Sequence, residues 1–145
     1  MANYNAFTRS NYFKVTDEER IKELVASCAC GEDKLRLFVR DESDGRKTFG
    51  FGCHDSISGL EVPSEDPDEY QEYDFDLFAK ELQKILLDGD AIIITEIGYE
   101  KLRYLIGYST LITKTEIRCV DIYDESLRVV KEMLGNPDFA TVTEY

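Results

Sequence analysis

YDFDLFAKELQKILLDGDAIIITEI, residues Tyr73–Ile97, changes its hydrophobic period half-way along. Over Tyr73–Leu87 the apolar side chains Phe75, Phe78, Leu82, Ile85 and Leu86 recur every three or four positions, which places them on one helix face. Asp74 and Asp76 stand at the start, where the positive end of the helix dipole favours carboxylates. Asp88-Gly89-Asp90 stops the helix, and Ala91–Ile97 follows as a run rich in β-branched residues that reads as a buried strand. A helix that feeds a buried strand through so short a turn sets the chain among the mixed α and β folds.

The flanks extend that reading. Downstream, Gly98–Lys101 reads as a turn, Leu102–Thr113 as a long strand, and Glu116–Ile122 as the strand closing a three-stranded meander. A last helix is expected from about Asp124 to Leu134, ended by Gly135 with Asn136-Pro137 beyond it. Upstream, the first eight or so residues read as a loose leader and Asn11–Val15 as a short strand. Thr16-Asp-Glu-Glu19 has the form of a capping box, and Ile21, Leu24, Val25 and Cys28 line one face of the helix it opens, with Gly31 as its stop. Lys34–Arg40 and Lys47–Cys53 alternate as the two arms of a hairpin turned at Asp44-Gly45. The expected architecture is therefore α/β in the α+β sense, with about three helices packed on antiparallel sheet. Lys22-Glu-Leu24 and Lys80-Glu-Leu82, each followed by a helix-stopping glycine and a hairpin, also admit two βαββ-like halves.

A chain of 145 residues with 43% hydrophobic content fits a single domain, residues 1–145, with a core that needs no disulfide staples. MANYNAFTRSNYF has neither the charged start nor the apolar middle of a secretory signal, and no run reaches the roughly 18 apolar residues of a membrane span. Cys28, Cys30, Cys53 and Cys119 sit in apolar stretches and read as reduced thiols, which places the expected compartment in the cytoplasm.

Net charge is −13, and its distribution is uneven. No basic residue occurs between Lys47 and Lys80, while nine acids do, so nine of the thirteen net negative charges come from that interval. Residues 54–72 form an acidic loop carrying Pro63 and Pro67. The rest of the chain is close to balanced.

Motifs that carry chemistry are sparse. Cys53 and His54 are neighbours in a strand, where successive side chains point to opposite faces, so they cannot pair directly. Cys28-x-Cys30 with Cys53-His54 lacks the ligand spacing of a zinc finger, and the acidic loop lacks the calcium-loop pattern. Gly50-Phe-Gly52 is a lone GxG with no third glycine. Lys47-Thr-Phe49-Gly50-Phe51 partly resembles the strand with which RNA-recognition motifs stack on bases, but Gly52, His54 and the net charge depart from it. Phe49 and Phe51 read more simply as a core pair.

Asn11-Tyr-Phe-Lys-Val-Thr-Asp-Glu-Glu19, Tyr73-Asp-Phe-Asp-Leu-Phe78, Lys101-Leu-Arg-Tyr104 and Leu134-Gly-Asn-Pro-Asp-Phe139 together resemble a family of small acidic proteins encoded on conjugative elements and prophages of gut Firmicutes. The resemblance spans nearly the whole chain. It implies accessory cargo of a mobile element, in company where small acidic proteins often antagonise host restriction or CRISPR systems, and it carries over no catalytic residue.

The expectation is thus a non-enzymatic binding protein that imitates nucleic-acid phosphates. Glu61, Glu65, Asp66, Asp68, Glu69, Glu72, Asp74 and Asp76 would face a basic host protein such as a nuclease or a restriction or CRISPR component. No cofactor, metal, membrane or direct nucleic-acid contact is called for. Two other readings stay open: an RNA-binding module using Phe49 and Phe51, and a structural homodimer.

Overall fold

The computed structural model describes residues 4–101 and 104–141. In chain order it contains β1 (Tyr4–Ser10), α1 (Glu18–Ser27), β2 (Ala29–Cys30), β3 (Asp33–Lys34), β4 (Arg36–Asp41), β5 (Lys47–Cys53), β6 (Leu60–Glu61), β7 (Tyr73–Asp74), α2 (Phe75–Ile85), β8 (Ile92–Glu100), β9 (Tyr104–Ile112), β10 (Ile117–Asp121) and α3 (Ile122–Leu134). Six strands make one antiparallel sheet in the order β10-β9-β8-β1-β5-β4, and the short pairs β2-β3 and β6-β7 stand outside it. Among the described residues this is an α+β fold with three helices.

Its core lies between one face of the sheet and the apolar faces of α1 and α2. Ile21, Leu24 and Val25 of α1 and Phe78, Ala79, Leu82 and Ile85 of α2 are buried there against Ile92, Ile94 and Ile112 of the sheet. Phe51 sits at the centre, edge-on to Phe13 at 6.0 Å and to Phe78 at 5.5 Å. Each such ring contributes roughly 1.5–3 kcal/mol by leaving water. The helix face anticipated at Phe75–Leu86 and the hairpin of β4 and β5 are present at almost the expected positions.

Five expectations change. The supposed leader is β1, the strand that joins the two halves of the sheet, paired with β8 from Tyr4↔Glu100 to Ser10↔Ile94 and with β5 at Thr8↔Cys53 and Arg9↔Gly52. Its core-side residues are Ala6, Thr8 and Ser10, so it lacks the large apolar alternation that marks a strand. Internal partners satisfy its hydroxyls instead: Thr8 Oγ1 donates to the Asp55 carbonyl at 2.7 Å, and Ser10 Oγ accepts from the Phe51 N–H at 2.9 Å. Asn11–Val15 makes only single bridges, Phe13 with Phe49 and Val15 with Leu86.

Asp17, rather than Thr16, caps α1, accepting the Arg20 N–H at 3.0 Å, because Thr16 spends its N–H and hydroxyl on the Ile85 carbonyl. Gly31 turns between β2 and β3 with φ of 50° instead of stopping α1, which ends extended at Cys28. Gly98, Tyr99 and Glu100 continue β8 as strand, and the turn falls at Lys101. Leu102 and Arg103, within the expected long strand and the Lys101–Tyr104 segment, lie outside the described residues.

Candidate functional site

The acidic segment leaves the helix side of the fold. Its neck is closed by β6 and β7, paired at Leu60↔Asp74 and Glu61↔Tyr73, with the Val62 N–H donating to the Glu72 carbonyl at 2.7 Å. Two of its acids hold the backbone. Asp66 Oδ1 accepts the Asp68 N–H at 2.9 Å, and Asp74 Oδ1 accepts the Asp76 N–H at 2.9 Å as the cap of α2. Glu69 takes the Ser64 hydroxyl at 2.6 Å. All eight acids named above are exposed. Among the described residues none of the eight is paired with a lysine or arginine, in contrast to Glu23, Glu42, Glu81 and Glu116 elsewhere. The fold therefore displays a closed loop of carboxylates with two of its members serving as internal turns.

The Phe-x-Phe strand is placed differently from what base stacking requires. Phe49 is 1% and Phe51 0% exposed, both in the core, so neither ring can meet a nucleotide. Cys53 points inward beside Cys30 and donates to the Asp55 carbonyl at 3.1 Å, while His54 points outward with its ring edge-on to Phe7 at 5.0 Å. Strand alternation separates the thiol from the imidazole. Asp33 accepts the His54 N–H at 2.7 Å, and this hydrogen bond holds its carboxyl below the usual carboxylate range. A pocket of about 480 Å³ opens beside these residues, lined by Tyr4, Phe7, Glu32, Asp33, His54 and Asp55 among others. The Asp55 carboxylate is occupied by the Glu32 and Ser56 N–H groups at 3.2 and 2.7 Å, so it serves the loop backbone.

Three arrangements escaped the sequence reading. Glu96 is buried on the core side of β8, its two carboxylate oxygens taken by Tyr4 OH at 2.6 Å and Tyr108 OH at 3.1 Å. Burial, reinforced by the Glu96 charge, raises both phenols, Tyr108 up to about 12. The signal lay in the alternation of Ile92, Ile94 and Glu96, which sets the glutamate on the apolar side. On the other face of the sheet, Arg9 lies over the Phe38 ring at 4.8 Å and Arg40 over Tyr12 at 4.9 Å. The third is the apolar extent of that outer face, where Phe7, Ile97 and Leu105 are 58%, 63% and 83% exposed.

No family model, curated protein or solved structure matches the chain. Among the described residues no helix is long and apolar enough to cross a membrane.

The buried protons give a pH prediction. Burial pushes the Cys28 and Cys30 thiols up to about 12 from 9.0, and Tyr108 up to about 12 from 10.0. A group whose folded pKa is raised keeps its proton when the unfolded chain has lost it, so its contribution is intact below the unfolded value and is lost as pH rises through the folded one. Urea midpoints should thus hold steady to near pH 9 and fall from there towards pH 12. Tyr108→Phe should make the decline shallower; an unchanged slope would remove this phenol from the account.

Proposed function

We propose that this chain is accessory cargo of a mobile element and binds a basic, nucleic-acid-binding host protein through residues 55–76, as an anti-restriction or anti-CRISPR protein would. The observation that supports it is the set Glu61, Glu65, Asp68, Glu72 and Asp76, exposed and without a cationic partner among the described residues, on a loop whose neck is clamped and on the first turn of α2 beside it. Carboxylates already committed to lysines would have to give those up on binding, and these do not. A closed loop also loses less conformational freedom on docking than an open one. Duplex DNA offers about one charge per 1.7 Å of axis, so a basic groove shaped for it meets several of these carboxylates at once. Complementary charge then speeds encounter and makes it salt-sensitive.

Affinity capture from host lysate at low and high salt identifies the partner, and the protein should displace DNA from it. The variant E61Q/E65Q/D68N/E72Q leaves both structural turns, at Asp66 and Asp74, in place. Four exposed pairs at about 0.5 kcal/mol each sum to ~2 kcal/mol, so its affinity should fall roughly thirtyfold. Unchanged displacement by that variant would falsify the reading.

A further inference from the structure

The outer side of β8 and β9 with Phe7 of β1, and one stripe of helix α3, are two apolar surfaces that the single chain leaves exposed. Direct pairing sets Phe7, Ile97 and Gly107 in one row across β1, β8 and β9, all on the side away from α1 and α2. Ile93, Thr95, Ile97 and Tyr99 of β8 and Leu105, Gly107, Ser109 and Leu111 of β9 share that side, so neither strand presents a charge there. α3 has 13 residues and none of them is buried. Its side chains Ile122, Val129 and Met133 follow helical spacing along one exposed stripe, with Ile122 66% and Met133 79% exposed. Amphipathic helices and half-apolar sheets persist because each covers the other, and here Phe7, Ile97 and Leu105 of the sheet and Met133 of α3 remain exposed.

The connection explains why α3 does not close its own sheet. Asp121 ends β10 and is itself the cap of α3, accepting the Tyr123 and Asp124 N–H groups at 2.9 and 3.0 Å, so no linker lets the helix turn back. Ile122 reaches the sheet face over Gly107, where an added Cβ would lie 2.8 Å from its Cγ2.

We infer that a second copy of this chain covers the face: α3 of each protomer lies across the outer sheet of its partner in a two-fold dimer. Three observations select a second copy over another protein. The chain itself carries both halves of the interface, an exposed apolar sheet face and an exposed apolar helix stripe, which is the self-complementarity that two-fold symmetry requires. At 1.5 Å per residue α3 is about 20 Å long, the width of about four strands, and exposed apolar side chains reach from Phe7 on β1 across β8 and β9 to Val120 on β10, with Arg9 and Arg118 beside them. The large apolar side chains of face and helix together expose roughly 1,000 Å², and a two-fold dimer would bury both sets on each partner, against the ~800 Å² per partner of a standard stable interface. Charge agrees: β6 and β7 stand against α1 and α2, on the helix side of the sheet, so two strongly acidic chains meeting through β8 and β9 keep their acidic loops apart. The inference stands independently of what those loops bind.

Sedimentation or light scattering of the whole chain across a dilution series tests it. The expected mass is twice 16.7 kDa. Leu105→Glu, on the sheet, and Met133→Glu, on the helix, should each yield the single-chain mass with the far-ultraviolet spectrum unchanged, because both side chains are exposed in one chain. If either variant fails to fold, Ile97→Lys on the sheet or Val129→Glu on the helix replaces it. A wild-type chain that stays at 16.7 kDa at every concentration overturns the inference, and the face then serves a different partner. A dimer that survives the sheet variant, or one that survives the helix variant, overturns it equally, since each half is indispensable to helix-on-sheet exchange.

Discussion

Phe51→Ala lowers stability by about 3–5 kcal/mol, the range expected when a fully enclosed ring is deleted from a core. Phe51 has no exposed area, and it is the ring that touches both Phe13 ahead of α1 and Phe78 on α2. The cavity therefore opens where the N-terminal segment, the β4–β5 hairpin and α2 converge, and none of the three can collapse into it without losing contact with the others. In a chain of this size a loss of 4 kcal/mol is about 8–16 °C in melting temperature. Tyr70→Ala, at a side chain 95% exposed, is the control and should stay within ~0.5 kcal/mol of the parent. Thermal melts of both decide the matter: a Phe51 variant that melts with the Tyr70 variant would show that the ring is not enclosed. The same result would reopen base stacking through this strand.

Gly59→Ala is the second large effect, and its cause is steric. Gly59 sits at φ of 113°, a region side chains avoid, and an added Cβ would overlap the backbone carbonyl of Asp74. Backbone cannot swing aside as a side-chain tip can. Ala29 fixes Gly59 from the other side, donating its N–H to the Gly59 carbonyl at 2.9 Å. Strained backbone of this type costs about 1–3 kcal/mol and forced overpacking a further ~1–3 kcal/mol, so a total on the order of 3 kcal/mol is expected. Gly45→Ala separates the two causes: φ there is 83° but nothing lies within 4 Å, so only the conformational part remains. Equal melting temperatures for the two variants would dismiss the clash. Because Asp74 both pairs with Leu60 and caps α2, the Gly59 variant should also loosen the neck of the acidic loop, read as faster proteolysis within residues 62–72.

Legibility in the sequence followed the strength of local pattern. α2 could be read because its apolar residues repeat at one period over eleven positions, and the first part of β8 because Ala91–Ile97 is a β-branched run, whereas Gly98–Glu100 read as a turn and proved to be strand. β1 could not, because its inward positions are Ala6, Thr8 and Ser10, whose place in the core depends on hydrogen bonds to Asp55 and Phe51 far along the chain. The cap of α1 was misplaced by one residue for a related reason. Thr16 matches the local rule, yet the Ile85 carbonyl at the end of α2 draws its donors away and leaves Asp17 to cap.

For the candidate site, the run of acids and the absence of lysine and arginine from it were plain in the sequence. The closure of the loop by β6 and β7, and the division of its acids into turn-formers and free carboxylates, depend on which backbone N–H each side chain reaches. Glu96 stood on the core side of β8 by alternation, but its acceptability there rests on Tyr4 and Tyr108, 92 and 12 residues away.

The sequence by itself determined the classes of the main elements and the local concentration of negative charge, because period and composition are properties of short stretches. Tertiary structure decided that the N-terminal strand joins the two halves of the sheet, that Phe49 and Phe51 face inward, and that apolar side chains of the outer side of β8 and β9 and of one stripe of α3 stay exposed. Those outcomes depend on strand order and on the missing linker after Asp121, which only pairing across the whole chain can set.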